Sequence, residues 1–144
     1  MINRLKKKVK EKINNFKNLS DKYSEQAEIV LAYARCLVDL NSSQQEEQMK
    51  EAVNRLKELS EAYPKQVEIA FEYAKGLLYL SKRQEVKEAN QTIHSLKKLI
   101  ENFSKYPVFI LIYAESLFEL LNRQQEKEAS QTIKILQKLA EKYP

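Results

Sequence analysis

Residues 87–99 read KEANQTIHSLKKL and residues 127–139 read KEASQTIKILQKL, so the two segments agree at polar as well as apolar positions across an offset of 40 residues. The same offset aligns Tyr33-Ala34, Tyr73-Ala74 and Tyr113-Ala114. Self-similarity at a period of roughly 20 to 50 residues is typical of repeat proteins, in which each unit packs only on its neighbours. The predicted units are a half-repeat at 1–24 and three repeats at 25–64, 65–104 and 105–144.

Apolar residues within each repeat form two runs with the spacing of one helix face. In the first repeat these are Ile29, Val30, Tyr33, Ala34, Leu37 and Leu40, followed by Met49, Ala52, Val53, Leu56, Leu59 and Tyr63. Ser43 and Glu46 have the spacing of a capping box, which predicts the start of the second helix. Pro64 cannot continue that helix. We therefore expect an all-α fold of about seven helices in antiparallel hairpins.

The composition favours helices and excludes several functional classes. One Gly and three Pro among 144 residues are too few for many tight turns or for a Gly-rich nucleotide loop. One Cys and one His allow neither an internal disulfide nor a zinc cluster, so we expect no metal and no cofactor. Charged residues follow periodic polar faces, so no enzyme activity is expected. The sequence has no signal-peptide or membrane-spanning run, and a cytoplasmic location is the default expectation.

The spacing within each repeat resembles the tetratricopeptide repeat, whose pattern is W-x2-L-G-x2-Y, then A-x3-F, then P. Val30-x2-Tyr33-Ala34-x2-Leu37 has the first spacing, and Ala52-x3-Leu56 followed by Pro64 has the rest. Aliphatic residues replace the signature Trp and Phe, and the period is 40 residues rather than the family's 34. HEAT and armadillo repeats, with periods near 40, are the alternative. The resemblance implies a right-handed α-solenoid of three and a half repeats.

Tetratricopeptide proteins bind a peptide or a partner's helix in a concave groove lined by the first helix of each repeat, and the resemblance implies the same here. The groove positions carried over are Leu31, Arg35 and Val38, then Phe71, Lys75 and Leu78, then Leu111, Glu115 and Phe118. This largely apolar set suits an amphipathic segment. We therefore expect a non-enzymatic protein–protein interaction scaffold. The alternative is a structural segment of a longer repeat array, or a self-associating module.

The third repeat is more apolar than one helix stripe requires. Residues 108–114 are seven consecutive apolar residues, which predicts association of this repeat with a partner or with a second copy. Cys36, Gly76 and Ser116 are equivalent small residues, and their position predicts a close approach between helices. His94 is expected to be exposed.

Positive charge is concentrated at the N-terminus. Residues 1–24 hold eight Lys or Arg and two acidic residues, a net charge of +6, so the other 120 residues sum to −1 within the chain total of +5. Ile13, Phe16, Leu19 and Tyr23 align at the repeat offset with Val53, Leu56, Leu59 and Tyr63. We therefore expect this helix to pack on the first hairpin, which makes nucleic acid and membrane unexpected partners. Polyanion binding by its basic face is the weaker alternative.

Overall fold

The computed structural model describes residues 7, 8, 10–12, 14, 15, 17, 18, 27–41, 45–124 and 126–143. These residues contain helices and no strand. The described residues between 7 and 18 are helical, and this helix is numbered α1. The others are α2 (Ala27–Asn41), α3 (Glu46–Ala62), α4 (Val67–Arg83), α5 (Val86–Glu101), α6 (Pro107–Leu121) and α7 (Glu126–Lys142). The predicted all-α class is confirmed for this part of the chain.

The helices recur with the period of the sequence. First helices begin at residues 27, 67 and 107, and second helices begin at residues 46, 86 and 126, each series in steps of 40. The turns between hairpins also repeat their backbone hydrogen bonds. The donor and acceptor pairs are Gln66 N–H to Tyr63 O and Ile69 N–H to Gln66 O in one turn, and Tyr106 N–H to Phe103 O and Phe109 N–H to Tyr106 O in the next. Pro64 lies in the first of these turns, beyond the end of α3, as predicted.

The second helices do not begin with the predicted side-chain cap. The N-cap of α3 is Gln45, whose side chain makes no capping hydrogen bond, and Ser43 lies outside the described residues. A different polar contact recurs near the N-terminal ends of α5 and α7. Thr92 Oγ1 donates a hydrogen bond to Gln84 Oε1, and one repeat later Thr132 Oγ1 donates to Gln124 Oε1 at 2.6 Å. In each case a glutamine just before the helix is hydrogen-bonded to a threonine in the second turn of that helix.

Contacts group the chain into two compact units, Met1–Gly76 (unit 1) and Leu77–Pro144 (unit 2), with the boundary inside α4. In unit 1, α2 packs on α3, and in unit 2, α6 packs on both α5 and α7. The buried apolar rows of the repeat include Tyr33, Leu37 and Leu56 in unit 1 and Ile93, Leu96 and Tyr113 in unit 2. A single repeat domain over 1–144 stays a prediction.

Candidate partner-binding surfaces

The first predicted groove position is accessible in all three first helices. Leu31 of α2 and Phe71 of α4 are half-buried, and Leu111 of α6 is 67% exposed. Large apolar side chains usually lose this exposure in a folded domain, because burying each one is worth about 1.5 to 3 kcal/mol. A large apolar residue therefore faces outward at the same place in each repeat.

The second predicted position carries charge. In unit 1, Arg35 of α2 lies 3.8 Å from the Glu68 carboxylate of α4 in an exposed ion pair. Lys75 of α4 lies over the Phe71 ring, 4.9 Å from its centroid. In unit 2 the equivalent residue is Glu115, which is exposed. Apolar side chains bordered by cations therefore form the outer face of α2 and α4.

Glu72 is a buried acid next to this face. It is 2% exposed, and its Oε2 atom lies 2.7 Å from Lys75 Nζ in an ion pair. Its Oε1 atom has no hydrogen-bond partner among the described residues. The equivalent positions in the other repeats are Ala32 and Ile112, both apolar. Because a buried carboxylate without a counter-ion is costly, the Lys75 ammonium group stabilises both Glu72 and the orientation of Phe71.

The third predicted position does not belong to a groove in the first two repeats. Val38 is 1% exposed and Leu78 is 5% exposed, so neither side chain is available to a partner. Each lies one helical turn after a fully buried alanine, Ala34 or Ala74, and therefore on the packed side of its helix. The assignment of Val38 and Leu78 to a binding groove is wrong. Phe118, by contrast, is 59% exposed.

Phe118 belongs to an apolar surface formed by α6 and α7 in unit 2, here called the terminal face. Its residues follow the spacing of one helix face, i, i+3, i+7, i+10 on α6 and i, i+4, i+7, i+11 on α7, and are all exposed or half-exposed. They are Leu111, Ala114, Phe118 and Leu121 on α6, and Ala129, Ile133, Leu136 and Ala140 on α7. Two packed helices thus present two adjacent apolar rows.

The same positions are buried in the earlier repeats. At the six inner positions of the terminal face, from Ala114 to Leu136, the equivalents in both earlier repeats are buried. Val53 is 6% and Ile93 is 5% exposed, whereas Ile133 is 43% exposed. In unit 1 the covering helix is α4, since a Cβ atom on Gly76 would lie 3.0 Å from Leu56 Cδ1 and 3.3 Å from Val53 Cγ2. The terminal face therefore repeats a surface that a helix covers elsewhere in the chain.

The sequence interpretation placed Leu111 and Phe118 of the terminal face in the groove and included Ala114 in the apolar run 108–114 predicted to associate. A signal for Ile133 and Leu136 was present in the alignment, because their equivalents, Val53 and Ile93 for the first and Leu56 and Leu96 for the second, are all apolar. A position that is apolar in every copy indicates a packed surface.

A cleft of about 490 Å³ lies in unit 2 between α5, α6 and α7. It is lined by Lys97, Ile100, Glu101, Ser104, Tyr113, Ile135, Lys138, Leu139, Lys142 and Tyr143. Burial, with a smaller contribution from the Glu101 carboxylate, raises the pKa of Tyr113. None of the predicted groove residues lines this cleft. Its three lysines give it a cationic rim, which sequence reasoning did not find because they come from two helices.

Cys36 and His94 have the surroundings expected of them. Cys36 is buried, and burial raises the pKa of its thiol, so the reactive thiolate is disfavoured. His94 is exposed, as predicted.

In α1 the described lysines are exposed. The predicted packing of this helix rests on apolar residues that lie outside the described residues, namely Ile13, Phe16, Leu19 and Tyr23.

The described residues lack two features that would bear on function. They contain no group of three or more His, Cys, Asp or Glu side chains that could hold a metal ion. They also contain no helix with the length and apolar content needed to cross a membrane.

Comparison with known proteins gives no match to a protein-family model, to a curated protein or to a solved structure. The tetratricopeptide resemblance therefore stays a prediction from the spacing of this chain's own residues.

Proposed function

We propose that this chain is an α-solenoid of tetratricopeptide-like hairpins that acts as a non-enzymatic protein–protein interaction scaffold and binds an amphipathic helix of a partner. The observation that carries the proposal is that one apolar repeat position on the first helices is left unburied in each unit. Leu31, Phe71 and Leu111 occupy one repeat position, and none of them is buried. The helices begin at intervals of 40 residues and the turns between hairpins repeat two hydrogen bonds, and both features support the solenoid.

The chemistry of the unit 1 surface indicates what kind of helix fits. Leu31 and Phe71 offer apolar contacts, and two cations lie beside them, Lys75 paired with buried Glu72 and Arg35 paired with exposed Glu68. The Arg35–Glu68 pair is solvent-exposed and 3.8 Å long, so the Arg35 guanidinium is accessible to a carboxylate of a partner. A helix with apolar residues at i, i+3, i+4 and i+7 and with acidic residues beside that row satisfies both features. The Lys75 contact with the Phe71 ring holds this aromatic side chain in place before binding, which lowers the entropy cost of association.

A designed helical peptide tests this proposal. The probe is a fluorescein-labelled peptide of about 18 residues with leucines on one face and glutamates beside them, and the control is its scrambled sequence. We expect saturable binding by fluorescence anisotropy, and a loss of at least about tenfold in affinity for the Leu31→Glu, Phe71→Glu double variant. Equal binding of the scrambled peptide, or unchanged affinity of the double variant, would contradict the proposal.

Ile133→Glu is the matched control variant, because Ile133 is an exposed large apolar residue that is not one of the predicted groove positions. We expect it to bind the peptide like the wild type. The alternative function, a structural or self-associating module, is favoured by a different observation, the exposure of the terminal face.

A further inference from the structure

We propose that the cleft between α5, α6 and α7 binds a small organic anion, in which an apolar ring or chain carries a carboxylate or a phosphate group. This site goes beyond the proposed helix binding, because Leu31, Phe71 and Leu111 are not among the described residues that line it. The cleft lies within unit 2. Its volume of about 490 Å³ falls in the range of roughly 300 to 1,000 Å³ that is usual for small-molecule sites.

The rim of the cleft is positively charged. Lys97 of α5 and Lys138 and Lys142 of α7 line it, and Glu101 is the one carboxylate among its described lining residues, so their net side-chain charge is +2. All three lysines are exposed. None of them forms an ion pair with another described residue. Their ammonium groups are therefore available to a carboxylate or a phosphate.

The wall of the cleft is apolar and carries one hydroxyl group. Ile100 is 5% exposed, whereas Ile135 keeps 41% exposure, so an apolar ligand can remove further surface from water. The Tyr113 hydroxyl makes no hydrogen bond within the described part of the chain. It stays protonated at neutral pH, because burial and the Glu101 carboxylate raise the pKa of Tyr113. It is therefore a donor for an anionic oxygen.

The lining of this cleft differs from the equivalent residues 40 positions earlier in the two properties that such a ligand needs. Two positions gain apolar surface and one gains a positive charge. They are Ile100, Ile135 and Lys142, and their equivalents are Ser60, Ser95 and Asn102. The other charged positions and the tyrosine are kept, as Lys57, Glu61, Tyr73 and Lys98. The cleft in unit 2 therefore combines the ordinary charges of the repeat with an apolar wall and a third lysine.

The cationic side of the cleft is open to solvent in the middle of the chain as well. Lys138 and Lys142 occupy positions that are exposed in both earlier repeats. The equivalents are Glu58 and Lys98 for the first and Ala62 and Asn102 for the second. A further repeat follows each of these residues and leaves it uncovered. Packing of one repeat on the next therefore does not close this side to a ligand.

Titration of the full chain with 2-naphthoate, followed by isothermal titration calorimetry, tests the inference. The naphthalene rings supply the apolar body, and 2-naphthyl phosphate tests the other anionic group. We expect one site with a dissociation constant of about 0.1 to 1 mM for the better of the two anions, the usual strength for a ligand of about 13 non-hydrogen atoms. Naphthalene-2-carboxamide, which has the same shape without the charge, is expected to bind at least about fivefold more weakly.

Variants of the rim separate a specific site from general attraction to a basic protein. The Lys138→Gln, Lys142→Gln double variant is expected to lose at least about fivefold in affinity for the anion. Its matched control is Lys98→Gln, Lys134→Gln, which removes two exposed lysines of α5 and α7 that do not line the cleft, and we expect wild-type affinity. Glu101→Gln is expected to tighten binding about twofold, because it removes a like charge.

The inference is overturned if neither anion binds at about 5 mM, or if the carboxamide binds as tightly as 2-naphthoate. Equal losses in the two double lysine variants, or binding of inorganic phosphate as tight as that of 2-naphthyl phosphate, also overturn it. The Leu31→Glu, Phe71→Glu variant is expected to bind the anion like the wild type, so this inference and the proposed helix binding fail separately.

Discussion

A missing Cβ atom lets α4 approach α3 closely. A Cβ on Gly76 would lie 3.0 Å from Leu56 Cδ1, at the flexible end of that side chain. We expect Gly76→Ala to change the free energy of unfolding by less than about 1 kcal/mol, because the gain in helix propensity offsets the crowding. Gly76→Leu has no room and is expected to cost about 2 to 3 kcal/mol. Urea unfolding followed by circular dichroism measures both, and a fully stable Gly76→Leu variant would contradict the close approach.

Removing Lys75 from its ion pair with Glu72 is expected to lower the free energy of unfolding. Removing both charges together is expected to lower it much less. Lys75→Met leaves the buried Glu72 carboxylate without its counter-ion, and we expect a loss of about 2 kcal/mol, less than for a fully buried pair because Lys75 keeps 27% side-chain exposure. Adding Glu72→Ile, the residue type found at the equivalent Ile112, is expected to recover most of that loss. Chemical denaturation of the single and double variants decides this, and a double variant no more stable than Lys75→Met would refute the explanation.

At the scale of elements, Arg123 connects the end of α4 to the turn after α6 within unit 2. Its guanidinium donates hydrogen bonds to the carbonyl oxygens of Gln84 at 2.6 Å and Ser81 at 2.8 Å, and it pairs with Glu119 at 3.0 Å. The last carbonyls of a helix lack partners within it, so these bonds satisfy groups that would otherwise be unpaired.

We expect Arg123→Met to lower the free energy of unfolding by about 2 kcal/mol, the usual range for hydrogen bonds to a charged group. Arg123→Lys is the control, because lysine keeps the charge near Glu119 but lacks the planar fork that reaches two carbonyls. Thermal and urea unfolding are the measurements. A lysine variant as stable as the wild type would show that the charge, rather than the paired bonds, is what matters.

At the scale of the whole molecule, the periodic sequence predicted where the helices lie better than it predicted which of their residues are exposed. Apolar spacing and Pro64 predicted the hairpins and the turn after α3, because local periodicity reports which side of a helix is buried. It could not separate Val38 from Leu31, since both lie on the apolar side and only a neighbouring helix decides which one is covered. The hydrogen bond between Thr92 and Gln84 was equally unpredictable from the sequence, because two polar residues eight positions apart give no sign that they are in contact.

Two hydrogen bonds recur at equivalent positions in the turns after Tyr63 and after Phe103, and this recurrence has a consequence for inheritance. A genetic exchange that joins one copy to another at equivalent codons leaves each turn with the same donors and acceptors. Such an event adds or removes one whole hairpin and keeps the reading frame. The gene for this chain can therefore lengthen or shorten by hairpins while every junction remains one that already folds.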